Sequence, residues 1–267
     1  MFSKILSWRT ILLLIIISFL IACTISQAPQ TPTATQPSVV SPSGLVTERD
    51  ESIFIREPGP GSRLISPVHV AGIADPTFEQ NLVVRLVLSD GAELAVVPTI
   101  IDADPGQRGP YQVDLPFNIS GEQQAFIQVY ATSPRDGGIT HLASVGVTIA
   151  DSGPEILRPM EVQPERIMIY QPTSGVAVSG GVAHIEGFAL ASFEQTLLVE
   201  VLDAEGNVLA SQPVTVAAPD LGQPGPFNVD IPYSIATSGP GRIVVRDISP
   251  AFGGDAHLAS VEVTLEP

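Results

Sequence analysis

The side chains of this 267-residue chain that could do chemistry are few. Four histidines fall two to each half, His69 with His141 and His184 with His257. Imidazole joined by a carboxylate such as Asp136 or Asp255 is a donor set for a transition metal. Short spacings such as His-x-x-x-His, which place two ligands on one face, do not occur. Both pairs are therefore read as half-exposed strand residues. Asp75, Asp102, Asp104, Asp220 and Asp255 sit in loops and carry the oxygen ligands that calcium takes. No Asp-x-Asp-x-Asp-Gly run is present, and Asp102-Ala103-Asp104 becomes Ala217-Ala218-Pro219 in the second half, so the acids are read as a solvated surface. No metal and no cofactor are expected.

The nucleophile motifs are missing: no Gly-x-Ser-x-Gly, no His-Glu-x-x-His and no glycine-rich phosphate loop. Ser144 and Ser260 each follow a histidine by an odd number of positions, which on a strand sends the two side chains to opposite faces. A non-enzyme is expected. Phe78 and Phe193, each opening a Phe-Glu-Gln triplet, could offer a ring to a sugar or a partner. Their equivalence in both halves favours a second role, as plugs at the end of a core. The one cysteine, Cys23, permits no intrachain disulfide and no cysteine-based zinc site.

What surrounds Cys23 gives it a different chemistry. Lys4 and Arg9 precede an apolar run, Ile11 to Ala22, which at 12 residues is short of the roughly 20 that span a bilayer. Its end, Leu20-Ile21-Ala22-Cys23, resembles the lipobox of bacterial lipoproteins. The resemblance implies that residues 1–22 are a signal peptide and that Cys23 becomes N-terminal and lipidated, anchoring the chain to an extracytoplasmic membrane face. Residues 23–50, rich in Pro, Ser, Thr and Gln, are expected to form a disordered tether. With Lys4 and Arg9 removed, ten of the 12 basic residues remain against 28 acids, a net charge of −18. That balance excludes nucleic acid as a partner.

Beyond the tether the chain is written twice. His69-Val70-Ala71-Gly72 returns as His184-Ile185-Glu186-Gly187 at an offset of 115. Gly109-Pro110-Tyr111 returns as Gly225-Pro226-Phe227, and His141-Leu142-Ala143-Ser144 as His257-Leu258-Ala259-Ser260, both at 116. A period this long is a duplicated domain. Within the first copy, period-two alternation and turn residues predict strands near 53–56, 67–73, 82–89, 93–101, 111–117, 125–132 and 141–149. So many short strands indicate an all-β chain of two tandem immunoglobulin-like antiparallel sandwiches, residues 51–150 and 166–267, joined by a proline-rich linker at 151–165.

Each copy resembles the Gmad-type immunoglobulin-like domain of bacterial spore-germination lipoproteins. The resemblance rests on Ile53-x-Ile55 with Pro58 and Ile167-x-Ile169 with Pro172, on Gly72 and Gly187, and on the hairpins Asp90-Gly91 and Glu205-Gly206. It rests further on Ser133-Pro134 with Gly137-Gly138 and Ser249-Pro250 with Gly253-Gly254. It implies a fold, a secreted setting and no catalytic residue. The expected role is a scaffold or interaction module for an envelope protein or cell-wall polymer; the alternative is a ligand site, for polymer or metal ion, at the domain junction. Arg56, Arg63, Arg85, Arg108 and Arg135 lie in the first copy against Arg242 and Arg246 in 167–267, which points any anionic polymer to the first.

Overall fold

A computed structural model describes residues 49–191 and 194–267. The expected signal peptide at 1–22, Cys23, the expected tether up to residue 48 and Phe193 lie outside the described residues. The first copy holds β1 (Ile53–Glu57), β2 (Arg63–Ile65), β3 (Val68–Ala74), β4 (Asn81–Leu88), β5 (Glu93–Ile100), β6 (Gly109–Leu115), β7 (Glu122–Thr132) and β8 (Ile139–Ala150). The second repeats it with β9 (Ile167–Gln171), β10 (Ala177–Val178), β11 (Val182–Ala189), β12 (Thr196–Leu202), β13 (Val208–Thr215), β14 (Gly225–Pro232), β15 (Gly239–Ile248) and β16 (Asp255–Leu265).

Each copy is a sandwich, with β1-β3-β6 or β14-β11-β9 as its small sheet. The larger sheets are one: β13-β12-β15-β16-β8-β7-β4-β5 runs through both copies. All the strands expected in the first copy form within three residues of their expected limits, and β2 is additional. It and β10 run parallel to β8 and β16, short exceptions to an otherwise antiparallel pattern. Alternation decides which face is buried: in β14, Phe227, Val229 and Ile231 enter the second core while Asn228 and Asp230 face out. Burying each such side chain fully contributes about 1.5–3 kcal/mol.

Two repeated motifs prove to be packing devices. Gly72 pairs with Tyr111, and Gly187 with Phe227. A Cβ on Gly72 would stand 2.5 Å from the Tyr111 hydroxyl, and one on Gly187 2.4 Å from the Phe227 ring, so each ring lies over a glycine. The Tyr111 hydroxyl donates to the Phe54 carbonyl at 3.2 Å. The Phe-Glu-Gln triplets hold left-handed residues, Glu79 and Gln80 at φ 54 and 58, Glu194 and Gln195 at φ 46 and 54. That geometry costs about 1–2 kcal/mol per residue. The Gln80 amide donates to the carbonyls of Asp104 and Gln107, and the Gln195 amide to that of Asp220, clamping equivalent loops in return.

After a bend at 151–153, residues 156–165 are extended along the first copy. Glu165 N–H donates to Arg49, Met160 N–H to Arg56 and Ile156 N–H to Arg63, each at 2.7 Å. The segment thus runs antiparallel to residues 49–63 and lines the outer edge of β1.

Candidate functional site

The two copies meet where β8 pairs antiparallel with β16, Leu142 opposite Leu258 and His141 opposite Ala259. Leu142 and Leu258 are equivalent residues of the duplication, so a local two-fold axis passes between them. On one face they join Leu202 and Val244 in a small apolar cluster, with Tyr130 and Ile139 at its margin. On the other lie four ionisable side chains in a crossed arrangement. His141 Nε2 stands 3.5 Å from the carboxylate of Glu165, the residue just before the second copy. His257 Nδ1 stands 3.5 Å from that of Glu51, which begins the first.

Burial sets the protonation here. Desolvation, with the Glu165 carboxylate beside it, pushes the Glu51 carboxyl up to about 8. Burial likewise holds both imidazoles below their usual value, His257 well below it with Arg166 and His141 adding to the effect, while Glu165 opposes it at His141. Near neutral pH the site therefore carries a protonated Glu51 and two neutral histidines. It can exchange protons; the hydroxyl residues beside it are Ser52, whose N–H donates to Glu165 at 2.8 Å, and Ser260, whose Oγ donates to the Thr140 carbonyl at 2.8 Å.

The two ends of the junction differ. At one end Arg242, 1% exposed, crosses from the second copy to the Asp136 carboxylate, 2% exposed, with Nη2 2.7 and 2.8 Å from its two oxygens. Burial opposes ionisation of Asp136, but the Arg242 guanidinium and the Gly138 N–H hold its carboxyl below the usual range. Arg242 Nε also donates to Glu262 at 2.8 Å, and Arg135 reaches the same carboxylate at 2.6 Å. At the two-fold-related end the equivalent positions are Phe126 and Phe252, whose ring centroids lie 4.4 Å apart, beside Gly146.

The histidine pairs read from sequence are not brought together. His69 is on β3 with Asp114 at 2.8 Å, and His184 on β11 lies between Asp230 and Glu186, its pKa raised by hydrogen bonds to both, Asp230 first. His69 and His184 are about half exposed, as expected, whereas His141 and His257 lie at the junction in the other sheet with side chains only 19% and 12% exposed. The small and large sheets of a sandwich separate the members of each pair. Asp136 and Asp255 join no histidine; Asp136 holds Arg242, and Asp255 lies 3.7 Å from Arg246. Asp75 binds Arg49 and Arg108, while Asp102, Asp104 and Asp220 stay in loops. Among the described residues no three metal-binding side chains form a cluster. Of the first copy's five arginines, Arg63, Arg85, Arg108 and Arg135 pair with acids, leaving Arg56 exposed. Glu51 and Glu165 escaped the sequence reading, although their equivalent places before β1 and β9 could have shown them.

Beside the crossed pairs opens a groove of about 920 Å³. Its walls come from both copies: Ile167 to Tyr170 along β9, Ala259 to Glu262 of β16, and Asp75 to Phe78 with Ala131 to Pro134 from the first copy. Phe78 is 55% exposed on this wall and does not plug the core, a correction to the sequence reading. The left-handed turn that follows it aims the ring outward, a geometry invisible to periodicity.

The model of the immunoglobulin-like domain of bacterial spore germination, Gmad2, matches residues 52–138 and again 166–254. The chain belongs to this family. Both Gmad2 domains contribute to the groove. No match was found among curated proteins. Similar solved structures include red sea bream transglutaminase, at 9% identity and TM-score 0.29 over 82% of this chain, which spans about a third (32%) of that one. Others are CBD12 from CALX1.2, at 9% identity and TM-score 0.24 over 79% of this chain and 98% of that one, and a chimeric titin Z1Z2 tandem, at 15% and 0.23 over 80% and 98%.

Proposed function

We propose that this Gmad2 protein is a lipid-anchored, non-enzymatic interaction module of the cell envelope, serving spore germination by holding a protein partner at the junction of its two domains. Lipidation at Cys23 supplies the anchor. The observation that carries the reading is the groove: its walls come from both domains and are mainly apolar, with Phe78 projecting into it. Exposed aromatic rings over concave, part-apolar surfaces are the usual anchors of protein contacts. Of the ionisable groups that line it, Arg49 and Asp75 pair with each other, while Glu165 pairs with His141 and Glu262 with Arg135 across the junction.

Photo-cross-linking of the full chain in its own membranes tests this. A photoreactive residue in place of Phe78 is expected to give a discrete protein adduct, whereas one in place of Val208, exposed on the far edge strand β13, gives none. Equal labelling from both positions, or none from Phe78, overturns it. Cys23→Ala is expected to abolish acyl labelling and to release the chain from the membrane.

A further inference from the structure

The two copies treat one strand edge differently. β1 and β9 are equivalent strands, each at the outside of its small sheet and each interrupted by a bulge, at Arg56 and at Tyr170. In the first copy the outer edge of β1 is covered. Residues 156–165 lie along it in extended form, with backbone hydrogen bonds at both ends and at Arg56 in the middle. Arg158 N–H is held by Ser62 Oγ at 3.0 Å, and Phe54 beneath is buried. In the second copy, among the described residues, no segment pairs with the corresponding edge of β9. Met168 and Tyr170 instead line the groove, and Tyr170 is exposed.

We propose that the β9 edge is a strand-addition site, at which an extended polypeptide segment of a protein partner pairs antiparallel with Ile167–Gln171 as residues 156–165 pair with β1. This names the binding mode of the interaction module proposed above, and rests on that reading. Bound peptides use a free sheet edge in this way, backbone bonds giving affinity and alternate side-chain pockets giving selectivity. The groove sets the chemistry of the occupant. Met168, Tyr170, Pro172 and Phe78 favour apolar residues and proline at the positions that face them. The segment that covers β1 runs on into the open strand: it ends at Glu165, whose side chain lines the groove, two residues before β9 begins.

The first copy also fixes where the occupant must leave the sheet. At Gly59 an added Cβ would come within 2.6 Å of the Arg158 carbonyl, so the covering segment passes there only because a glycine does. The equivalent position in the second copy is Thr173. A segment on β9 is therefore limited to about five paired residues before it diverges, a length set by Ile167–Gln171 itself.

The test uses the full chain, isotope-labelled in detergent micelles, and a synthetic peptide of residues 158–165, Arg-Pro-Met-Glu-Val-Gln-Pro-Glu. Saturable amide shifts are expected at Ile167–Gln171 and in β16 from Ala259 to Glu262. The same peptide with N-methylmethionine, which lacks the N–H that Met160 gives to Arg56, is expected to bind at least about tenfold more weakly. No saturable shift at millimolar peptide, equal binding of both peptides, or shifts confined to β1 each overturn the proposal. Shifts at β9 that grow with protein concentration alone assign the edge to a second copy and overturn it too. If the Phe78 adduct forms and the peptide fails, strand addition falls while the interaction module stands.

Discussion

The two ends of the domain junction occupy equivalent positions and hold opposite chemistries. Arg242, Asp136 and Glu262 form a buried ionic group at one end, where the other has Phe126, Phe252 and Gly146. The backbone pairing between β8 and β16 obeys the two-fold axis; these side chains do not. A symmetric junction would let two first copies pair through β8, placing Phe126 of each against Asp136 of the other. An unpaired buried carboxylate facing a ring costs several kcal/mol, so the mismatch selects the joining of a first copy to a second. Burial of an ion pair is weak support for stability and good support for specificity of this kind.

Breaking the ionic end is expected to have the largest effect. Asp136→Ala leaves the Arg242 charge buried against Glu262 alone and should lower unfolding free energy by about 3–5 kcal/mol, read from the urea midpoint. Adding Arg242→Met should return most of that loss, which would show the pair to be replaceable by apolar packing. The symmetric centre responds to pH. The Glu51 carboxyl titrates at about 8 when folded and near 4.5 when unfolded, so the folded state holds the extra proton and stability falls as pH rises through that window. The buried histidines, lowered by desolvation, act in the opposite sense, losing stability as pH falls below about 6.5. Between about pH 6.5 and 8 Glu51 should account for a loss of up to roughly 1.4 kcal/mol per pH unit, and His184, whose pKa is raised, adds to it in the same sense. Glu51→Gln should remove its share of that slope and leave the smaller His184 part, measured by urea unfolding across the range. At the aromatic end the effect is smallest: Phe252→Ala removes a half-buried ring and a tilted ring contact, for about 1–2 kcal/mol by the same measurement.

What could be read in advance follows the range of the interactions. Strands, hairpins and the duplication are recorded in local alternation and in turns such as Asp90-Gly91 and Glu205-Gly206, whose glycines take φ 86 and 84. The pairing of Gly72 with Tyr111 and Gly187 with Phe227 is half legible, since the residues recur together though their contact is not stated by spacing. β2 and β10, of three and two residues, are too short for any period to register. The crossed pairs His141 with Glu165 and His257 with Glu51 depend on which strand edges meet between copies, and nothing local encodes that. Two histidines in each copy invite a pairing within it, whereas the junction sets one histidine of each copy against a glutamate from beside the other.

The lone β8 edge has a consequence for the order of synthesis. β16 begins at Asp255, about a hundred residues after β8 ends at Ala150. At roughly 5–20 residues per second the first copy folds and then waits on the order of ten seconds with that edge unpaired. During the interval it presents His141 beside Leu142, with Asp136 close by, to every nascent neighbour. A polar, sparingly apolar rim of this sort is how sheet edges resist indiscriminate pairing. The same residues that close the finished junction would then act as a temporary guard, delaying association until the second half of the same molecule arrives.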